Sequence, residues 1–369
     1  MAEIRVHQLH KAFADFVAVK DSSFTVKDGE FFCLLGPSGC GKTTTLRMIA
    51  GLELPSSGQI FLGGEDVSFK RASLRDIAFV FQLFALYPHM NVRKNIGFPL
   101  VSQGMPRAEI RQRVAEAARI LRITELLDKP VSGLSSGDRQ RVALGRAIVR
   151  KPSAFMMDEP LGALDSEFRE LMCEELRSLH ERLGATTVYV THDQREAMAM
   201  ADTIAIMNQG VIEQLGPPQE VYERPASVFV ADFVGAPAMN FLPFEGGYAA
   251  GAQSVQVGGA ALAIPALRED VSPRPLLYGV RPEHVSFDDD SPLRAEVLGS
   301  EYLGTGRIVT LATPAGGSLR AKVGVETAPR RGDTLGLRFD AAEVSLFDQA
   351  SGRALRTARY DSAVGAAHG

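Results

Sequence analysis

Apolar runs alternate with amphipathic stretches along the N-terminal part of the chain. Short apolar runs typical of buried strands lie at residues 31–35, 154–157, 186–190 and 203–207. Helical spacing of apolar positions predicts helices at about residues 42–50, 108–122, 139–150, 164–183 and 194–201. Strands that alternate with helices form parallel sheets covered on both faces, so this part of the chain predicts an α/β fold.

A helical insert interrupts this alternation at about residues 88–150. Within it, residues 108–122 place Ile110, Val114 and Leu121 on one helix face and charged side chains on the opposite face. The insert is therefore predicted to form a helical subdomain of the α/β domain.

The pattern changes again after the Pro217-Pro218 pair. An amphipathic stretch follows, and beyond it come Gly- and Val-rich segments with strand-like alternation. These segments predict a small all-β domain of OB-like barrel type. We therefore expect an α/β domain over residues 1–235 and a β domain over residues 236–369, with a frayed tail after Arg359.

Composition and charge fit a two-domain globular protein. The chain has 369 residues, of which 45% are hydrophobic, and a formal net charge of −4, with no signature of nucleic-acid or anionic-membrane binding. After residue 235 acidic residues outnumber basic ones, 15 to 13, which argues against oligonucleotide binding by the β domain. The three cysteines lack paired spacing, which predicts a reducing, cytoplasmic environment. No apolar run approaches the roughly 18 residues of a membrane helix, so another chain would have to span a membrane.

A phosphate-binding loop follows the first of the buried strands. Gly36, Gly41, Lys42 and Thr43 fit the pattern G-x-x-x-x-G-K-[ST] between an apolar run and a helix, which is the context that the pattern requires. The backbone N–H groups, the helix N-terminus and Lys42 all attract phosphate oxygens, and Thr43 offers a hydroxyl ligand to Mg²⁺. The sequence thus predicts a nucleoside triphosphate site formed by Gly36, Ser38, Gly39, Cys40, Gly41, Lys42, Thr43 and Thr44.

Two carboxylates follow the apolar run at residues 154–157. Asp158 can hold Mg²⁺ directly or through water, and Glu159 can orient a water for attack on the terminal phosphate. Alternatively, the two acids only begin the next helix. The phosphate loop alone is compatible with a kinase, a GTPase or a motor ATPase, so further motifs have to decide.

Six short motifs occur in order along the α/β domain. They are the phosphate loop, Gln82, Leu134-Ser135-Ser136-Gly137-Asp138, Asp158-Glu159, Leu164-Asp165 and Thr191-His192-Asp193. In this order they resemble the motif set of the ATP-binding-cassette (ABC) ATPases. The segments YGVRPEH (residues 278–284) and ALYPHM (residues 85–90) are similar to segments of the maltose-importer-type ATPase subunits, which carry a C-terminal regulatory barrel. The resemblance therefore spans nearly the whole chain.

The resemblance implies roles for individual residues. Glu159 corresponds to the general base, and His192 to the switch histidine that contacts the γ-phosphate and holds the attacking water. Phe13 matches the aromatic position that stacks on adenine, although Phe16 lies close by and either ring can belong to the core instead. Gln82 corresponds to a Mg²⁺ ligand, so the expected metal ligands are Thr43, Gln82 and Asp158.

The segment around Ser135 resembles the family's signature motif, which faces the ATP held by the opposite subunit. Ser135, Gly137 and Asp165 are therefore expected to contact ATP in a composite site. The usual pattern is Leu-Ser-Gly-Gly-Gln, whereas this chain has Ser136 and Asp138. A carboxylate at residue 138 adds negative charge where ATP approaches, which favours a non-identical partner ATPase. If this carboxylate only caps its helix, a homodimer is equally compatible.

The resemblance implies the ATP-hydrolysing subunit of a solute importer at the cytoplasmic face of a membrane. The expected cofactors are ATP and Mg²⁺. The expected partners are a second ATPase subunit, two membrane-spanning permease subunits and, indirectly, an extracytoplasmic solute-binding protein, with no nucleic acid. The maltose-type resemblance favours a carbohydrate or related polyol as solute.

Two alternatives belong to other functional classes. A soluble ABC ATPase of DNA repair or translation is disfavoured by the short helical insert, which leaves no room for a long coiled coil, and by the acidic balance. A regulatory module whose barrel binds a protein partner is compatible with the importer role.

Overall fold

The chain divides into two compact units, Met1–Pro218 and Gln219–Gly369. The computed structural model describes residues 2–81, 85–162, 164, 166–313 and 317–363. Each unit has its own sheets and its own cluster of buried hydrophobic side chains. The mixed α/β architecture of the first unit and the all-β sheets of the second agree with the predicted fold class.

The first unit contains strands and helices in alternation. Its strands are β1 (Ile4–Phe13), β2 (Phe16–Val26), β3 (Phe31–Leu35), β4 (Ser57–Leu62), β5 (Glu65–Asp66), β6 (Ile77–Val80), β7 (Ala154–Asp158), β8 (Thr186–Thr191), β9 (Thr203–Asn208) and β10 (Val211–Gly216). Its helices are α1 (Lys42–Ala50), α2 (Val92–Ser102), α3 (Arg107–Ile120), α4 (Ser136–Ile148), α5 (Ser166–Leu183) and α6 (Gln194–Met200).

The larger sheet of the first unit has the strand order β10-β9-β3-β8-β7-β6. All its neighbouring pairs are parallel except the edge pair β10–β9. Every residue of β3, β7 and β8 is buried, which fits the mainly apolar and β-branched composition of these strands. A second, antiparallel sheet has the order β2-β1-β4-β5.

The register of the parallel strands aligns their carboxyl ends. Leu35 at the end of β3 pairs with Thr191 at the end of β8. β7 flanks β8 on the side opposite β3, and Asp158 at the end of β7 pairs with Val190 of β8. Side chains that follow these three strands therefore meet at one edge of the sheet, where ligands bind in open α/β sheets.

The helical insert is present where the sequence predicts it, as α2, α3 and α4. Two glycines allow its helices to approach closely. A Cβ atom at Gly97 would lie 3.2 Å from a methyl carbon of Ile110 on α3, and one at Gly145 would lie 3.1 Å from Ile96 on α2. A larger side chain at either position would separate the helices.

The second unit begins with two short helices and is otherwise built from strands. The helices are α7 (Pro218–Glu223) and α8 (Val228–Phe233). The strands are β11 (Asn240–Tyr248), β12 (Ser254–Val257), β13 (Ala260–Ala263), β14 (Val271–Val280), β15 (Val285–Phe287), β16 (Arg294–Tyr302), β17 (Arg307–Ala312), β18 (Ser318–Val323), β19 (Thr334–Phe339) and β20 (Ser345–Asp348). They form antiparallel sheets of order β11-β14-β20, β12-β13 and β15-β19-β16-β17-β18.

The division between the units falls earlier than the boundary at residue 235 that the sequence suggests, because α7 and α8 pack within the second unit. The guanidinium of Arg281 is buried and donates to the carbonyl oxygens of Tyr222, Ala231 and Val234. It also lies 4.0 Å from the centre of the Tyr222 ring. One buried cation thus satisfies carbonyls at the ends of both helices.

The first residues after Arg359 make tertiary contacts, whereas the rest of the predicted frayed tail, residues 364–369, lies outside the described residues. Tyr360 is largely buried, and its hydroxyl donates to the carbonyl of Pro225 at 3.1 Å. Asp361 pairs with Arg268. The sequence misses these contacts because both partners lie far away along the chain.

We expect a fragment that ends at Pro218 to fold as the first unit. A fragment that ends at Gly235 should be less soluble than the shorter fragment. The longer fragment keeps Val221, Val230 and Ala231, which are buried in the intact chain and lose their cover when the β strands are removed. Newly exposed apolar surface of this kind promotes aggregation. Circular dichroism and thermal unfolding of both fragments test this. A longer fragment that is the more soluble and more thermostable of the two would contradict the division at Pro218.

Candidate active site

The phosphate loop connects β3 to α1 at the carboxyl edge of the larger sheet. Gly39 and Gly41 have φ angles of 79° and 107°, in the left-handed region that favours glycine. Gly41 precedes the first turn of α1, and no side chain caps that turn. The N–H groups of the turn are therefore available to an anion.

Two glycines of the loop are required by neighbouring backbone. A Cβ atom at Gly36 would lie 2.2 Å from the carbonyl oxygen of Met207, and one at Gly41 would lie 2.4 Å from that of Ala18. Neither backbone can move aside without disturbing its strand, so these positions exclude larger residues.

Lys42 extends along the inside of the loop. Its Nζ atom donates to the carbonyl oxygens of Gly36 at 2.8 Å and Pro37 at 2.9 Å, and the residue is only 4% exposed. The Sγ atom of Cys40 lies 3.9 Å from the same nitrogen, and burial raises the pKa of this thiol. Ser38 is exposed on the loop and Thr44 is half-buried on α1.

Thr43 and Asp158 place two side-chain oxygen atoms next to each other beside the loop. The Thr43 hydroxyl donates to Oδ1 of Asp158 at 2.8 Å. Burial raises the pKa of the Asp158 carboxyl, and the hydrogen bond from Thr43 opposes that change. Hydroxyl and carboxylate oxygens are the ligands that Mg²⁺ prefers, and a cation here would offset the cost of burying the carboxylate. The residues present therefore fit a magnesium ion.

Glu159 and His192 lie side by side after β7 and β8. The Oε2 atom of Glu159 is 3.2 Å from Nδ1 of His192. The Glu159 backbone has a φ of 45°, and its N–H donates to the carbonyl of Val190 on β8. A left-handed backbone at a residue other than glycine costs about 1–3 kcal/mol and is common at functional sites. The local turn thus directs a carboxylate and an imidazole to the same point.

A buried network fixes the turn that carries His192. Glu196, on α6, accepts hydrogen bonds from the hydroxyls of Tyr189 at 2.8 Å and Thr191 at 2.7 Å. Arg169 on α5 pairs with Asp193 at 3.0 Å and with Glu196 at 3.5 Å. Burial raises the pKa of the Glu196 carboxyl. Sequence reasoning missed Arg169 and Glu196, because each reads locally as an ordinary charged residue of an amphipathic helix.

Ser135 and Gly137 lie at the N-terminus of α4. Ser135 is the N-cap and its hydroxyl accepts from the N–H of Asp138 at 3.1 Å. That hydroxyl also donates to the Asp138 carboxylate at 2.7 Å, and Arg141 lies 3.8 Å from the same carboxylate. A Cβ at Gly137 would lie 2.2 Å from the Phe168 ring. Within the described part of the chain, no hydrogen bond joins Ser135 to the phosphate loop.

The remaining predicted residues fall into two groups. Phe13 ends β1 and is 44% exposed, with Nζ of Lys11 4.6 Å from the centre of its ring. Phe16 is 59% exposed, so neither ring belongs to the core. Gln82 and Asp165 lie outside the described residues.

Comparison with known protein families places this geometry in a class. The ABC transporter family matches residues 19–162, and the TOBE domain family matches residues 278–347. The chain belongs to the ABC transporter family, as its similarity to curated members along almost its whole length shows. The predicted ATPase class is therefore confirmed, and ATP is the nucleotide that this family binds.

The curated relatives align with almost the whole length of this chain. The chain is 46% identical to the trehalose/maltose import ATP-binding protein MalK of Thermococcus litoralis, covering 96% of this chain and 100% of the relative. It is 43% identical to the sn-glycerol-3-phosphate import ATP-binding protein UgpC of Cereibacter sphaeroides, with coverages of 96% and 100%. These relatives favour an importer over the DNA-repair alternative.

A solved structure shares the fold. The cbiO1 protein of Clostridium perfringens, described as part of the ABC transporter complex cbiONQ, matches with a TM-score of 0.56 and 31% identity, covering 59% of this chain and 89% of that one. Among the helices that our structure describes, none is both long and apolar enough to cross a membrane.

Proposed function

We propose that this chain hydrolyses ATP to energise the import of a carbohydrate, or of a related polyol or glycerol phosphate, through separate membrane-spanning subunits. The observation that carries this proposal is the pairing of Glu159 with His192, 3.2 Å apart, at the sheet edge that also carries Thr43 and Asp158. The solute class rests on the relatives named above, which are import proteins for trehalose, maltose and glycerol phosphate.

Thr43 and Asp158 are proposed to hold Mg²⁺, with Gln82 as a further ligand. The metal, when bound, neutralises charge on the phosphate oxygens. The N–H groups of residues 39–43 and the ammonium of Lys42 hold the phosphates, and Phe13 stacks on the adenine. These contacts orient the terminal phosphate toward Glu159.

Glu159 is proposed to act as the general base. Its carboxylate accepts a hydrogen bond from the attacking water and takes up the proton as that water attacks. His192 holds the water and the γ-phosphate in line, while Arg169 and Glu196 fix the turn on which His192 lies. The buried network therefore limits the motion of the catalytic imidazole.

A second ATPase subunit is proposed to complete each ATP site through Ser135, Gly137 and Asp165. The N–H groups at the start of α4 provide an anion site, and the Arg141 guanidinium lies near the Asp138 carboxylate. Arg141 also donates to the Glu175 carboxylate at 3.2 Å, so it offsets the charge of Asp138 only in part. A homodimer and a pair with a non-identical ATPase are therefore both compatible with this site.

The membrane subunits are proposed to dock at an aromatic cleft of about 340 Å³ between β6 and the helical insert. Phe81 is 39% exposed, and its ring centre lies 4.5 Å from that of Phe79. Tyr87 and Phe98 form a second pair at 4.6 Å, and Arg146 lies over Tyr87 at 5.4 Å. Exposed aromatics beside a basic group suit an apolar helix with an acidic residue.

Reconstitution of the complex tests the function. We expect the chain to co-purify with membrane subunits encoded beside it, and proteoliposomes of that complex to import radiolabelled maltose, trehalose or glycerol 3-phosphate only with ATP. Native mass spectrometry of the same preparation counts the ATPase chains. An intact complex that hydrolyses ATP but imports none of these solutes would contradict the solute class, and failure to bind any membrane subunit would contradict the transport role.

A further inference from the structure

A cleft of about 440 Å³ opens on the first unit at the sheet edge opposite the candidate active site. It lies between α3 of the helical insert, the residues that follow α4, the start of β7 and the end of α5. β7 and β8 run away from it and end at Asp158 and Thr191. A ligand in this rear cleft therefore does not occupy the ATP site. Its volume is within the range of about 300–1,000 Å³ that is typical of small-molecule sites.

The floor of the rear cleft is apolar. It consists of buried hydrophobic side chains from four elements, including Ala117 on α3, Ile148 on α4, Phe155 on β7 and Ala185 before β8. A second hollow of about 240 Å³ lies along α5 and shares Ile120 and Arg182 with the first, but charged residues, among them Arg122, Glu174 and Glu175, line it as well. The apolar surface that we assign to a ligand is therefore the floor of the rear cleft, which suits a hydrocarbon chain.

The rim of the rear cleft is basic. Arg113, Lys151 and Arg182 line it together with one acid, Glu116, which gives the lining a net charge of +2. Lys151 lies 4.0 Å from Glu116, but both side chains are largely exposed, so their pairing is weak. Arg182 is exposed and has no ion-pair partner in the described part of the chain. At least one cation is therefore available to a bound anion.

Two helices end at the cleft, and their ends limit which kind of anion can bind there. α4 ends at Ile148 and α5 at Leu183, so both helices present their C-terminal carbonyl ends here. Carbonyl ends disfavour highly charged groups such as polyphosphates. A single carboxylate needs only one of the rim cations, and because it carries less charge than a polyphosphate the carbonyl ends disfavour it less.

We propose that the rear cleft binds a fatty acyl carboxylate, with the hydrocarbon chain on the apolar floor of the cleft and the carboxylate at Arg182. Such a ligand contacts α3 and α5 together and so ties the helical insert to the sheet-bearing core. Restraint of this kind slows any step of the ATPase cycle in which the insert moves, a consequence that rests on the proposed function.

Calorimetric titration of the full-length chain with decanoate tests the site, with a saturating non-hydrolysable ATP analogue present to fill the nucleotide site. We expect Arg182→Glu to weaken binding by about tenfold or more, because a charge-assisted hydrogen bond is lost. Ala117→Phe should abolish binding by filling the floor. Arg111→Glu is the matched control, since Arg111 is exposed on α3 and does not line the cleft. Decanol, which lacks the anion, should bind more weakly than decanoate.

Equal decanoate affinity in wild type and Arg182→Glu, or no binding at concentrations up to about 1 mM, would overturn the proposed site. These binding results do not depend on whether the chain energises import. For regulation, decanoate should slow ATP turnover of the wild type but not of Arg182→Glu. Equal slowing of both would show that the inhibition arises elsewhere.

Discussion

Replacement of Glu159 by Gln is expected to leave ATP binding intact and to slow hydrolysis by about 10²- to 10⁴-fold, the usual contribution of a positioned general base. Gln has nearly the same size and shape as Glu, so the turn after β7 should keep its conformation and residue 159 should still contact His192. The amide cannot take up a proton from water. Phosphate release at steady state, together with titration of a fluorescent ATP analogue, separates the two effects.

Two further variants make the test specific. Glu125→Gln is the matched control, because Glu125 is exposed on the helical insert and belongs to no predicted site. His192→Ala, alone and combined with Glu159→Gln, shows whether the two residues act together, since residues that act as a unit lose less than the sum of their separate effects. Wild-type turnover in purified Glu159→Gln complexes would remove Glu159 from the catalytic role.

Local sequence signals were sufficient for the elements around the phosphate loop. The prediction of a helix at residues 42–50 matches α1 at Lys42–Ala50, because Gly41 precedes the helix and Gly51 follows it, both with positive φ. The predictions for β7, β8 and β9 match the structure because the central residues of these strands are buried, which favours short runs of apolar and β-branched residues.

The spatial relations within the site could not be derived from residue patterns alone. Glu159 and His192 each follow a strand, but only the parallel pairing of Asp158 with Val190 places those strand ends together. The sequence does not indicate the left-handed backbone conformation at residue 159, because that residue is a glutamate and not a glycine. The family resemblance supplied the pairing that local chemistry left open.

The boundary between the two units, in contrast, depends on tertiary contacts and not on local sequence signals. Residues 218–234 read as an amphipathic extension of the α/β domain, whereas tertiary contacts, those of the buried Arg281 guanidinium and of Tyr360 among them, assign them to the second unit. Burial lowers the pKa of Arg281, yet its side chain keeps three carbonyl partners. No local pattern marks an arginine as buried, because most arginines are exposed.

Replacement of Lys42 by Ala is expected to weaken ATP binding itself, by about 10- to 100-fold, which corresponds to the loss of hydrogen bonds from a charged group. The ammonium is 4% exposed and lies inside the loop, where it meets the phosphates without first reorganising the backbone. Titration with a fluorescent ATP analogue measures the change. Lys20→Ala is the control, since Lys20 is exposed on β2.

Thermal unfolding distinguishes lost binding from lost structure in the Lys42→Ala variant. Without nucleotide, Lys42 contacts groups of its own loop, the carbonyls of Gly36 and Pro37 and the Sγ of Cys40, so its removal should lower the unfolding temperature little. A ligand stabilises the folded state in proportion to the logarithm of its concentration divided by Kd, so ATP and Mg²⁺ should raise the unfolding temperature of the wild type and of Lys20→Ala more than that of Lys42→Ala. Equal stabilisation of all three chains would mean that the ammonium of Lys42 does not contact the bound nucleotide.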